Sequence, residues 1–196
     1  MSKRIVTLLL PACIVVAPAC SGATPRAPAP APVLALTVEK INGADGGAAY
    51  QIASSGNVAA APATVWRILT DYDHMAEFVP DLHSARVVSR TGNTVIVEQL
   101  GAARLLFLRR AIRLVVQVHE QAPDKIDVSL VDGDMKVYRC SWELVPVPGA
   151  NGTRVLYSAT IAPKFYVPGI VGASLVRKDI ARMMAAVLAR LDRDEH

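Results

Sequence analysis

The tightest cluster of titratable side chains in the sequence is Asp71, Asp73 and His74, three groups within four positions. Two carboxylates beside an imidazole can do general acid–base work, one group holding a proton while a neighbour takes one up. The same residues have a plainer use. Aspartate just before a helix accepts hydrogen bonds from the first unpaired N–H groups, and a short helix is expected directly after them. Capping is the preferred assignment. His83 and His119 are isolated, with no partner at ligand spacing, so no metal site and no cofactor is expected. The sequence has no Gly-X-Ser-X-Gly elbow and no phosphate loop. No catalytic residue is assigned.

Arg110 suggests binding chemistry. Across Arg104–Glu120 the residues alternate as in a strand, and Leu106, Leu108, Ile112, Leu114, Val116 and Val118 share one face with Arg110. A lone charge on an apolar face is costly unless a partner meets it, so Arg110 could hold a ligand carbonyl or head group, or pair with an acid. A β-bulge would instead turn it outward. Tyr138, Trp142 and Tyr157 carry polar tips on apolar bodies, which suits a cavity wall and equally a plain core. Met183 and Met184 could be adaptable lining or ordinary helix packing. Cys140 shares the Trp142 face and is expected to be inert.

These residues need elements to hold them. Pro62 fits a first helical position, and Trp66 and Leu69 lie three apart on one face. The helix should stop at Thr70-Asp71-Tyr72-Asp73, and a second turn carrying Met75 and Phe78 should end at Pro80. Two short helices with a polar elbow make a poor core helix and a reasonable strap over something apolar. Strands are expected at Ala48–Ala60, at His83–Ser89 and Thr94–Leu100 around a tight Thr91-Gly92-Asn93 hairpin, and along Arg104–Glu120. Further strands should follow the turns at Pro123-Asp124, Gly133 and Asn151-Gly152. A last helix, about Pro168–Arg193, has an apolar stripe of Val176, Ile180, Met183, Val187 and Leu191. The expected class is α+β: a curved antiparallel sheet of about six or seven strands around a long C-terminal helix, with two short helices after the first strand.

The ends of the chain speak of export. Lys3 and Arg4 precede an apolar run from Ile5 to Val16, and small residues follow, as in a signal peptide over residues 1–19. The run is short and broken by Pro11, which makes a poor membrane span. Val16-Ala17-Pro18-Ala19-Cys20-Ser21 resembles a bacterial lipoprotein cleavage site, with lipidation at Cys20; simple secretion after Ala19 is the competing expectation. Residues 20–35, with the alternating Ala-Pro run Ala23–Pro32, read as an extended tether, and residues 36–196 as the domain. Loss of Lys3 and Arg4 lowers the formal net charge from +4 to +2, which is no nucleic-acid footprint. The expected location is the bacterial cell envelope, periplasmic and membrane-anchored. Besides Cys20 the exported chain keeps only Cys140, so no internal disulfide can form.

Several short motifs carry a resemblance. They are the strap at Val65–Leu82, Gly133-Asp134 before a strand ending Ser141-Trp142-Glu143-Leu144, Gly152-Thr153-Arg154-Val155 with Tyr157, and the Pro168-Gly169 start of the last helix. Together, over roughly Gly56–Arg193, the chain resembles the START-like, helix-grip superfamily. Within it the chain is most similar to the polyketide cyclase/dehydrase group that includes Coq10-type coenzyme Q-binding proteins. The resemblance implies a hydrophobic ligand, a lipid, isoprenoid quinone or polyketide, held between sheet and helix. The expected lining is Phe78, Pro80, Leu106, Arg110, Tyr138, Trp142, Tyr157, Phe165, Val176, Ile180 and Met183. The expected function is an exported binding protein for such a molecule. A cyclase or dehydratase using the same cavity, and an envelope protein-interaction domain with a vestigial pocket, are the alternatives.

Overall fold

In the computed structural model, which describes residues 34–43, 46–105, 108–167 and 171–193, the alternating segments form eight strands. They are β1 (Ala35–Asn42), β2 (Ala48–Val58), β3 (Leu82–Thr91), β4 (Thr94–Leu105), β5 (Leu108–Gln121), β6 (Lys125–Gly133), β7 (Met135–Pro146) and β8 (Thr153–Pro163). They join into one antiparallel sheet in the order β1-β2-β8-β7-β6-β5-β4-β3. Between β2 and β3 come α1 (Pro62–Leu69) and a 3-10 helix (Tyr72–Glu77). The chain closes with α2 (Gly172–Arg193). The expected α+β class holds, with eight strands in place of six or seven. The additional strand is β1, which begins at the last residue assigned to the tether.

The strand order dictates the strap. β2 lies next to one edge of the sheet and β3 is the opposite edge, so the connection between them must cross its width. Along that crossing α1 buries Val65, Ile68 and Leu69, and the 3-10 helix buries Tyr72. The inner face beneath is apolar, as period-two alternation requires: Val95 and Val97, Val116 and Val118, Trp142 and Leu144, and Val155 and Tyr157 are buried.

Helix α2 closes over the β1–β2 side of this face. Gly56 is what allows the approach. A methyl group there would run into the Leu188 side chain, and Leu188 is itself buried. At the other end of α2, Gly172 lies against the Tyr50 hydroxyl. Arg177 donates to the Leu36 carbonyl at 2.8 Å, and Asp192 accepts the Ala59 N–H at 2.9 Å. The helix thus grips one side of the sheet, and space is left on the β3–β6 side.

Some expectations need correction. The long strand expected over Arg104–Glu120 is two strands. Leu105 pairs with Leu108, so the chain reverses between them, although no turn residue announces it. Asn151-Gly152 leads into β8 as expected and β7 and β8 form a hairpin, but through a longer loop. Pro146 pairs with Thr153, and the connection spans residues 147–152 with its positive φ at Gly149. Gly152 is glycine for a different reason: a Cβ would lie 2.7 Å from the Val58 carbonyl oxygen. Helix α2 is described from Gly172, and the expected start at Pro168 lies outside the described residues. The signal segment, Cys20, the Ala-Pro run and Leu106 lie outside the described residues. Among those described, no helix is long and apolar enough to cross a membrane.

Candidate functional site

The space between sheet, strap and α2 forms two chambers. The outer one, about 230 Å³, is bounded by β4 and β5, the β8–α2 connection and α2. Its room comes from a small side chain. Ala103 occupies an inner-face position of β4 where a larger residue would fill the gap, and Ile112, Leu114, Val176 and Ile180 supply apolar walls; Gly101, two residues before it, instead admits the strap's exit, since a Cβ there would lie 2.6 Å from the Asp81 carbonyl oxygen. The inner chamber, about 190 Å³, lies under the strap against Met75, Val116, Val118, Trp142 and Met183. Leu82 and Gln99 border both chambers. Gln99 follows Val95 and Val97 on the inner face of β4, an amide where the pattern calls for an apolar residue.

Three polar groups meet in the inner chamber. The Cys140 thiol is in hydrogen-bonding contact with the phenols of Tyr138 and Tyr157. Burial pushes the thiol up to about 12, against the pull of both phenols. The neighbouring Cys140 and burial raise the Tyr138 phenol well above its ordinary value, and burial with Cys140 does the same at Tyr157. All three are therefore neutral at physiological pH, so they can donate or accept hydrogen bonds but offer no strong base or thiolate. Trp142 packs on Tyr157 with ring centroids 4.5 Å apart and fixes that wall.

The strap is tied down at both ends. Tyr72 donates to Glu120 Oε1 at 2.9 Å, and Arg90 donates to Glu120 Oε2 at 2.8 Å. Burial and the Glu120 contact raise the Tyr72 phenol. At the strap's exit Asp81, with φ of 61°, accepts from Arg104 at 3.0 Å and from Arg109 at 2.8 Å, and pairs with Arg182 of α2 at 2.9 Å. Burial works to raise the Asp81 carboxyl. The Arg104 and Arg109 hydrogen bonds and the Arg182 charge outweigh it and hold the group below its ordinary value. Asp179, one turn before Arg182 and 2.7 Å from it, goes the other way, because its burial prevails.

Tyr138, Trp142, Tyr157 and Met183 border the inner chamber, and Phe165, Val176 and Ile180 the outer one. Arg110 stays on the inner-face register, since β4 and β5 pair without a break from Leu105–Leu108 to Thr94–His119. It is nonetheless exposed, with its guanidinium 4.8 Å over the Phe165 ring at the edge of the outer chamber. Phe78 and Pro80 border neither chamber; Phe78 lies beneath the Arg190 guanidinium at 5.9 Å. Capping by the elbow aspartates is not what the geometry shows. Asp71 bonds His74 Nδ1 at 2.7 Å, on the surface, and Asp73 accepts the Val87 N–H at 2.8 Å, tying the strap to β3. The Asp81 cluster and Glu120 were missed in the sequence. Their partners are far apart along the chain, and only Gly101-Ala102-Ala103, three small residues within a strand, hinted at room nearby.

A family model described as polyketide cyclase / dehydrase and lipid transport matches residues 58–188, which cover the strap, both chambers and most of α2. The chain belongs to this polyketide cyclase/dehydrase and lipid transport family. The match bears out the resemblance to the polyketide cyclase/dehydrase group. Solved structures share the fold. A START superfamily protein from Mycobacterium smegmatis aligns with a TM-score of 0.63 at 16% identity, covering 73% of this chain and 97% of that one. The Zhui aromatase/cyclase from Streptomyces sp. R1128 aligns at 0.64 and 12% identity, covering 76% and 96%. Human StAR-related lipid transfer protein 5 aligns at 0.62 and 14%, covering 85% and 88%. No curated protein sequence matches. In the polyketide cyclase/dehydrase and lipid transport family, this chain pairs an apolar cavity with polar groups at two points, the phenol–thiol trio inside and the arginine cluster beside the outer chamber.

Proposed function

We propose that the protein is an exported carrier that takes a hydrophobic or amphipathic small molecule of lipid, isoprenoid quinone or polyketide type into the two chambers. The observation that carries this is the pair of adjoining, mainly apolar chambers between sheet and α2. Apolar burial supplies most of the affinity, and a few placed polar groups orient the ligand. Tyr138 and Tyr157 suit a carbonyl or hydroxyl at the inner end. Within the described residues the inner chamber brings together phenols and a thiol with raised pKa values, an arrangement suited to holding a ligand more than to moving its protons. The signal segment, Cys20 and the Ala-Pro run support export and a lipid anchor that keeps the domain near a membrane.

Native mass spectrometry of the protein, purified without detergent from a membrane-containing host, tests the proposal. A discrete bound mass in the lipid or quinone range is expected. A clean unliganded mass that persists after incubation with a lipid extract overturns it.

A further inference from the structure

Arg104 borders the outer chamber, and three more arginines lie against residues that border it. Arg104 of β4, Arg109 of β5 and Arg182 of α2 converge on the single carboxylate of Asp81. Arg110 stands over Phe165, which borders the chamber. The acids facing them are Asp81 and Asp179, both of which border the chamber. Positive charge is therefore in excess beside the outer chamber.

The donors are not used up. A guanidinium carries five N–H groups in a rigid fork. Arg109 places one Nη2 contact on Asp81 and keeps 63% of its side chain exposed. Arg104 spends Nε and Nη2 on Asp81 with 49% exposed. Arg182 divides Nη2 between Asp81 and Asp179. Asp81 itself is 9% exposed, so it holds the forks in place from beneath and leaves their outer edges open. Such a fork matches a carboxylate or phosphate oxygen pair, and charge-assisted bonds of this kind are among the stronger hydrogen bonds. The chamber directly beside it is apolar, with Ile112, Val176 and Ile180 in its wall.

We infer that the ligand is an anionic amphiphile, its apolar body in the chambers and its carboxylate or phosphate head on Arg104, Arg109 and Arg182. This rests on the carrier reading and narrows its ligand class. Neutral quinones and sterols are then poor ligands, and the head stays at the arginines while the tail points toward Tyr138 and Tyr157.

Titration calorimetry on the intact protein with dodecanoate, dodecyl phosphate and dodecanol tests it. The three share a tail and differ in the head. One or both anions should bind at least roughly tenfold tighter than dodecanol, the scale of one charge-assisted hydrogen bond. Which anion wins identifies the head. Arg109→Gln, at the most exposed of the three Asp81 partners, should bring the affinity of the preferred anion close to that of dodecanol. Arg104→Gln should do the same, and an unchanged thermal midpoint in either variant excludes misfolding as the cause. Equal binding of all three ligands overturns the inference and leaves the carrier reading standing. A preference for an anion that survives both substitutions also overturns it, since the head must then lie elsewhere. Binding of none removes the carrier reading and the inference together.

Discussion

Tyr72 of the strap donates its hydroxyl to Glu120 of β5 across 2.9 Å, and Arg90 of β3 holds the other carboxylate oxygen. One acid thus fastens the strap to the sheet. Tyr72→Phe removes the strap's share and leaves Glu120 paired with Arg90. A hydrogen bond to a charged group contributes about 1.5–3 kcal/mol, and the surviving partner puts the loss near the lower end. Urea unfolding should show a lowered midpoint with an unchanged slope, and ligand release should quicken as the strap loosens.

Glycine positions test the grip. At Gly152 an added methyl meets the Val58 carbonyl, which is backbone and cannot step aside. At Gly56 it meets the Leu188 side chain, which can repack at some cost. Gly56→Ala should cost about 1–3 kcal/mol, the usual range for overpacking, and Gly152→Ala should cost more. Thermal unfolding of the two variants ranks them. The reverse order would mean that the Val58 carbonyl does not crowd Gly152 as described, and a Gly56→Ala variant without cost would mean that α2 does not press on β2.

Much of this architecture was legible in the chain. Pro62 with the helical spacing of Trp66 and Leu69 marked α1, Thr91-Gly92-Asn93 marked the β3–β4 turn, and alternation marked the inner faces of β5 and β7. Leu105 and Leu108 were misread because local pattern signals a reversal only through turn residues, and none stands there. The wall residues Tyr138, Trp142 and Tyr157 were found since alternation fixes their face. Asp81 was not, because what gives it meaning is the meeting of residues 81, 104, 109 and 182, a product of strand order that no local spacing encodes. Arg110 was placed on the right face, but its exposure depends on where α2 stops covering the sheet.

The two carboxylates facing the arginines should give opposite pH dependences. Asp81 has a lowered folded-state pKa, so its contribution to stability is full above the ordinary value of 3.8 and is lost as pH falls through the folded value. Asp179 has a raised folded-state pKa, so its contribution is present below 3.8 and is lost as pH rises through the folded value. Asp81→Asn should therefore destabilise at pH 7, and its cost should be smaller at pH 3, below the ordinary value. Asp179→Asn should be better tolerated at pH 7 than Asp81→Asn. Denaturant midpoints of both variants at the two pH values check this, and a larger loss from Asp179→Asn at pH 7 would refute the assignment.

Ala103 offers a way to separate cavity from fold. It borders the outer chamber on the inner face of β4, and its partner across the ladder is Arg110. Ala103→Phe adds a side chain into space that is open, so the overpacking cost of a filled core should be small, and the new apolar burial offsets it at about 25 cal/mol per Å². The thermal midpoint should stay within a few degrees or rise. Ligand capacity should fall sharply, because the ring occupies the volume the ligand needs. Native mass spectra of the two proteins, recorded after the same lipid incubation, give the answer. Loss of the bound mass with stability retained places the ligand in the outer chamber. Retention of the bound mass, with the fold equally stable, places it in the inner chamber alone, against Trp142 and Tyr157.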